Sequence, residues 1–188
     1  MKRVALYAMA VGLVFALPFA SDAQQPKAKT AASPDQKFVK EAATDGKAEV
    51  ELGKLASERG GSDAVKQFGQ KMATDHGKAN DELAQLAQQK GITLPSDLDA
   101  KHKKLHDRLA KLSGAQFDAA YMREMVRDHD KDVKEFQRES QRGKDPEVKA
   151  WAAKTLPTLQ EHDQQAKQTQ ASLKGGSSAS PSASGRSK

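Results

Sequence analysis

The sequence predicts an all-α protein built as a four-helix bundle. Three observations carry that expectation. Between residues 33 and 173, apolar side chains recur every three or four positions in four long stretches. Serine or aspartate stands at the start of each stretch, and glycine pairs or single glycines close most of them. The chain is also polar and poor in aromatics: charged residues make up 30% and aromatic residues 5% of its 188 residues, which suits long helices with narrow apolar stripes.

The first long helix is expected to begin after Ser33, with Pro34 at its first position and Gln36 completing a capping box. Phe38, Ala42, Asp45, Glu49, Leu52 and Ala56 form its stripe, and Gly60-Gly61 ends it. The second opens on Ser62 and carries Val65, Phe68, Met72, His76, Ala79, Leu83 and Leu86 before Gly91. A shorter helix fits 96–112 with a leucine stripe at Leu98, Leu105, Leu109 and Leu112, and Ser113 with Gln116 reads as a further capping box. The third long helix carries Met122, Met125, Val126, His129, Val133 and Phe136 up to Gly143. Asp145-Pro146 opens the fourth, with Val148, Ala152, Thr155, Leu159, His162, Ala166 and Leu173, and with Pro157 inside it freeing the carbonyl of Ala153.

Helices of this length reach about 40 Å at about 1.5 Å per residue. The first and second are joined tightly, as are the third and fourth, so each pair is an antiparallel hairpin. The connection between the second and third holds enough extended and helical residues to span about 40 Å as well. Run lengthwise, it gives a ferritin-like bundle with a long crossover carrying a short extra helix; packed at one end, it is a cap.

The ends differ from the middle. Lys2-Arg3, the apolar run Val4–Leu17, Pro18 and Ser21-Asp22-Ala23 follow the three-part pattern of a secretory signal peptide over residues 1–23. The run of about 14 apolar residues is too short for a membrane span of roughly 20. Residues 24–32 read as a polar linker, 33–173 as the bundle and 174–188 as a disordered Gly/Ser-rich tail. The expected location is therefore the periplasm or the exterior after cleavage near Ala23, without integral membrane anchoring. The net charge of +6 sits in the ends: residues 30–173 hold equal numbers of acidic and basic side chains. That excludes a basic nucleic-acid-binding core and leaves only weak, salt-sensitive contact of the basic tail with an anionic envelope surface. The absence of cysteine excludes disulfides, thiolate metal sites and cysteine nucleophiles.

Three of the five histidines lie on apolar stripes near mid-helix: His76, His129 and His162. Glu49 holds the matching place on the first helix. In register, these four side chains meet in one layer, and a buried polar layer needs partners or a metal. The metal reading takes Glu49, His76, His129 and His162 as ligands of a single zinc, copper, iron or manganese ion. Each histidine follows an acid, namely Asp75, Asp128 and Glu161. Adjacent helical residues point about 100° apart, so these acids are expected to orient histidines of neighbouring helices rather than bind the ion themselves. The competing reading is a hydrogen-bonded layer that sets register without metal. No Glu-x-x-His occurs, which argues against a carboxylate-bridged di-iron site. His102 and His106, four apart, are expected at the surface beside the leucine stripe. Tyr121 and Trp151 are expected as packing or rim residues. No catalytic residue and no enzyme motif stands out, the oligomeric state is not indicated, and the runner-up function is a metal-free envelope scaffold.

In order along the chain, Phe38-Val39-Lys40-Glu41-Ala42-Ala43, Ala48-Glu49-Val50-Glu51-Leu52-Gly53, Met72-Ala73-Thr74-Asp75-His76, Tyr121-Met122, Asp128-His129 and Thr155-Leu156-Pro157-Thr158-Leu159 with His162 resemble the bacterial exported family called domain of unknown function 4142. The resemblance spans about residues 36–173 and implies a ferritin-like bundle in the envelope, with no activity attached. The outer-membrane label often given to that family finds no barrel strands or lipid anchor in this sequence.

Overall fold

The computed structural model describes residues 32–176, which form five helices: α1 (Pro34–Arg59), α2 (Asp63–Gln89), α3 (Ala100–Leu109), α4 (Gly114–Arg142) and α5 (Pro146–Gly176). No strand occurs among the described residues; Gly60 and Gly114 make an isolated backbone bridge. The expected signal peptide, nearly all of the expected linker and most of the expected tail lie outside them.

Local chemistry sets the helix ends. Ser33 and Gln36 form the reciprocal capping box, each side chain accepting the other's backbone N–H, at 3.2 and 3.1 Å. Ser62 caps α2 through Val65 N–H. Asp145 caps α5 by accepting from Glu147 and Val148 N–H. Three expectations are corrected. The short helix is confined to Ala100–Leu109 and is capped by Asp99, whose carboxylate accepts from His102 N–H at 2.8 Å. The preceding residues stay irregular while Lys47 Nζ donates to the carbonyls of Pro95 and Ser96. Ser113 is the N-cap of α4 but makes no side-chain capping bond. Finally, α5 runs through Gly176, past the expected limit at 173.

Two aspartates fix the topology. Asp118 of α4 accepts from Gly61 and Ser62 N–H at 2.8 and 2.9 Å, pinning the start of α4 to the α1–α2 turn. Asp35 of α1 accepts from Lys144 and Asp145 N–H, pinning the α4–α5 turn to the start of α1. Lys90, just past α2, pairs with Asp145 at that same end. The connection from α2 to α4 therefore travels the length of the bundle, with α3 lying against α1 and α4. Each long helix is antiparallel to the neighbours it packs on, in the cyclic order α1, α2, α5, α4. Within the α1–α2 hairpin, a Cβ at Gly53 would stand 2.6 Å from Gly69 O, and one at Gly69 would stand 2.6 Å from Gly53 O. Only glycine at both positions lets these helices touch so closely.

The apolar core comes in two clusters. One gathers Leu52, Phe68, Met72, Leu109, Phe117, Tyr121, Met122, Met125 and Ala166. The other gathers Phe38, Val39, Leu83, Phe136, Trp151, Ala152 and Leu159. Between them, on all four long helices, lies the polar layer.

Candidate metal centre

On α1 the stripe passes from Ala43 in one cluster to Leu52 in the other, and Glu49 falls between them. On α2, His76 stands between Met72 and Leu83; on α4, His129 between Met125 and Phe136; on α5, His162 between Leu159 and Ala166. The helical repeat thus delivers one polar side chain per helix to the same depth. His129 and His162 are 0% exposed, His76 6% and Glu49 3%. The three imidazoles form a near-equilateral triangle with ring centroids 5.2, 5.5 and 5.6 Å apart. Each offers a ring nitrogen, and these nitrogens all lie within 4.8 Å of one another.

Every ring has one nitrogen held and one left over. His76 Nδ1 meets Glu49 Oε2 at 3.0 Å. His129 Nδ1 lies 3.0 Å from the Met125 carbonyl and 3.5 Å from Glu49 Oε1. His162 Nε2 meets Asp75 Oδ2 at 3.0 Å. The remaining nitrogens, His76 Nε2, His129 Nε2 and His162 Nδ1, are buried and have no hydrogen-bond partner. Leaving three such atoms unsatisfied costs on the order of 1–3 kcal/mol each.

Burial disfavours the charged form of two of the imidazoles, His129 and His162. Burial, reinforced by the neighbouring His76, pushes His162 down to about 4. Burial also lowers His129, against the opposing pull of Glu49. Burial alone would raise the Glu49 carboxyl, but His76, His129 and His162 outweigh it and hold it at about 2. Asp75 is likewise opposed by burial, and its contacts with His162 and Lys71 bring it below the usual carboxylate value. The site is thus a set of three buried imidazoles buttressed by the carboxylates of Glu49 and Asp75.

Of the four residues expected as ligands, all converge, but Glu49 approaches the outer nitrogens of His76 and His129 rather than the unpartnered ones. Of the three acids expected to orient them, only Asp75 touches a histidine of another helix. Glu161 is exposed and pairs with Lys71, which in turn pairs with Asp75. Asp128 turns toward Arg127. The sequence reading missed the Met125 carbonyl, which no side-chain pattern announces. It also placed His102 at the surface. His102 is buried between Asp99, at 2.9 Å, and Asp45, at 3.5 Å, while His106 is partly exposed beside Asp107. Tyr121 and Trp151 are buried packing residues, one in each apolar cluster.

The sequence matches the family described as domain of unknown function (DUF4142) over residues 20–169. The chain belongs to the DUF4142 family. No curated protein matches it. Among solved structures, the bundle is similar to a DUF305 fragment from Deinococcus radiodurans, with TM-score 0.63 and 15% identity over 78% of this chain and 99% of that one. It is also similar to a DUF305 protein from Streptomyces coelicolor, with TM-score 0.64 and 14% identity over 74% and 92%. At such identities the likeness shows a shared helical fold. No described helix of this DUF4142 chain is long and apolar enough to cross a membrane.

Proposed function

We propose that this protein is an exported bundle that binds one late-transition metal ion between His76, His129 and His162, and holds or buffers that ion in the cell envelope. The supporting observation is the trio of buried, unpartnered nitrogens, each on a ring whose other nitrogen is already held, on three rings that offer nitrogens within 4.8 Å of one another. An outer carboxylate or carbonyl fixes the tautomer and aims the lone pair, which is how metal-bound imidazoles are ordinarily oriented. Zinc with bonds of about 2.0–2.1 Å needs nitrogens roughly 3.3 Å apart, so the rings close on the ion as it binds. A dication would face two nearby carboxylates, Glu49 and Asp75, so the centre would be close to neutral. Neutral imidazole donors suit zinc, copper, nickel or iron(II) better than manganese, which prefers oxygen. Three protein ligands leave room for a fourth position. In this reading Glu49 and Asp75 steady the histidines, and Glu49 stands outside the ligand set. Export rests on residues 1–23, and mass analysis of protein from the producing cell should find an N-terminus near Gln24.

The test is elemental analysis of protein purified without chelator and then exposed separately to zinc, copper, nickel, iron and manganese. The proposal expects one equivalent of at least one late metal, lost in the H76A, H129A and H162A variants. Absence of stoichiometric metal under all five conditions leaves the layer as a register device and ends the proposal.

A further inference from the structure

We propose that Asp45, Asp132 and Glu135 form a second, carboxylate cation site on the α1/α4 face, and that this site hands the ion inward to the three histidines. The inference rests on the metal reading above and names the route of loading.

One carboxylate oxygen from each of the three acids lies within 4.8 Å of the others. Their side chains descend from the surface: Glu135 is 23% exposed, Asp45 20% and Asp132 7%. Asp132 is the unusual member. The cation that faces it, Lys131 Nζ, stands 3.9 Å away, while the same ammonium sits 2.7 Å from Asp45 and 3.5 Å from Glu135. Burial, with the charges of Glu49 and Asp45, drives the Asp132 carboxyl well above its usual value. A closer or doubly charged cation relieves that cost.

An independent observation lies one step deeper. Glu49 Oε1 is buried and makes no hydrogen bond, with His129 Nδ1 standing off at 3.5 Å. Glu49 borders a cavity of about 20 Å³ that Asp45, Asp132, Glu135 and His76 also border. It likewise borders a cavity of about 10 Å³ shared with Asp45, Asp132 and His102. The larger cavity has room for about one water molecule. The three acids, Glu49 and His76 therefore border one and the same cavity. The opposite approach, between α2 and α5, is lined by Lys71, Lys78 and Lys154 beside Asp75, Glu82 and Glu161, and Lys71 already covers Asp75. There three ammonium groups offset three carboxylates, whereas four acidic side chains and no ammonium border the cavity of about 20 Å³.

The step is ligand exchange alone. A hydrated dication displaces the Lys131 ammonium, which swings to solvent still charged. Carboxylate oxygens replace part of the ion's water, and the imidazoles then replace the carboxylates. Oxygen donors hold a late metal less tightly than nitrogen donors do, so the exchange runs inward.

The experiment is stopped-flow uptake of Co²⁺ by the metal-free protein, followed by the visible bands of imidazole-bound cobalt. D132N/E135Q is expected to slow uptake by about tenfold or more, the scale on which charge-lined clefts raise on-rates. Final stoichiometry and spectrum should match wild type. K131Q, which removes the resident cation, is expected to speed uptake and gives a second reading should the acid variant misfold. E82Q/E161Q, on the lysine-lined face, is expected to leave the rate unchanged. Equal rates for wild type and D132N/E135Q overturn the route, as does a slowing by E82Q/E161Q as large as that of D132N/E135Q. Failure of wild-type protein to take up Co²⁺, Zn²⁺ or Cu²⁺ removes the three-histidine reading itself, and the route with it.

Discussion

His76, His129 and His162 each spend one nitrogen on an outer partner and keep one for the interior, and this division separates the roles of their neighbours. Replacing a ring removes a donor, whereas replacing its buttress only loosens the ring. E49Q is therefore expected to keep a stoichiometric metal with affinity about 10–100-fold weaker, while H129A loses it; isothermal titration with zinc distinguishes the two, and equal losses would contradict the assignment. The same groups set a pH response in the metal-free protein. His162 sits at about 4 when folded against 6.5 otherwise, so the unfolded chain takes up the proton first and stability falls as pH drops from 6.5 toward 4. His129 shifts in the same direction. Glu49 adds a second loss: its contribution is full above 4.5 and disappears as pH falls toward about 2. The raised carboxyls of Asp128, Asp132 and Glu139 work the other way as pH falls. Urea midpoints from pH 7.5 to pH 3 are therefore compared with those of H162Q; wild type should lose more than the variant between pH 6.5 and 4, and equal losses would contradict the assignment. That these four residues meet was legible in the sequence, because each interrupts an apolar stripe at one helical depth. Which nitrogen faces inward was not, because it depends on a backbone carbonyl and on χ angles that spacing does not record. The same limit explains the acids: Asp75, Asp128 and Glu161 precede their histidines identically, yet helix rotation turns only Asp75 toward another helix's ring.

At the scale of elements, the capping serines, the glycine stops and the two hairpins follow from local rules, and those rules placed α1, α2, α4 and α5 to within a few residues. The errors fall where tertiary contacts override local preference. Asp99 caps an α3 that starts at Ala100 rather than at residue 96, while Lys47 holds the irregular approach at the carbonyls of Pro95 and Ser96. Asp118 satisfies the α1–α2 turn from a distance of more than fifty residues. His102 is drawn inward by Asp45, a partner that the leucine stripe of α3 does not reveal. The α1–α2 contact makes a sharper prediction. G53A places a methyl group 2.6 Å from the Gly69 carbonyl, and overpacking of this kind costs about 1–3 kcal/mol. The urea midpoint should drop accordingly with the helical content unchanged; a midpoint equal to wild type would mean that the hairpin opens without cost.

Across the described residues, two apolar clusters flank one polar layer, and two backbone-capturing aspartates, one at each end, hold the four long helices in the register that makes the layer converge. Function reads less directly from the sequence than fold does, since a Glu/His layer serves register and metal binding through the same spacing. The orphaned nitrogens are what tilt the balance toward a metal. X-ray absorption at the zinc edge of the zinc-loaded protein tests this most directly. The account predicts a first shell containing three imidazole nitrogens at about 2.0–2.1 Å, and a shell made of carboxylate and water oxygens without imidazole would contradict it.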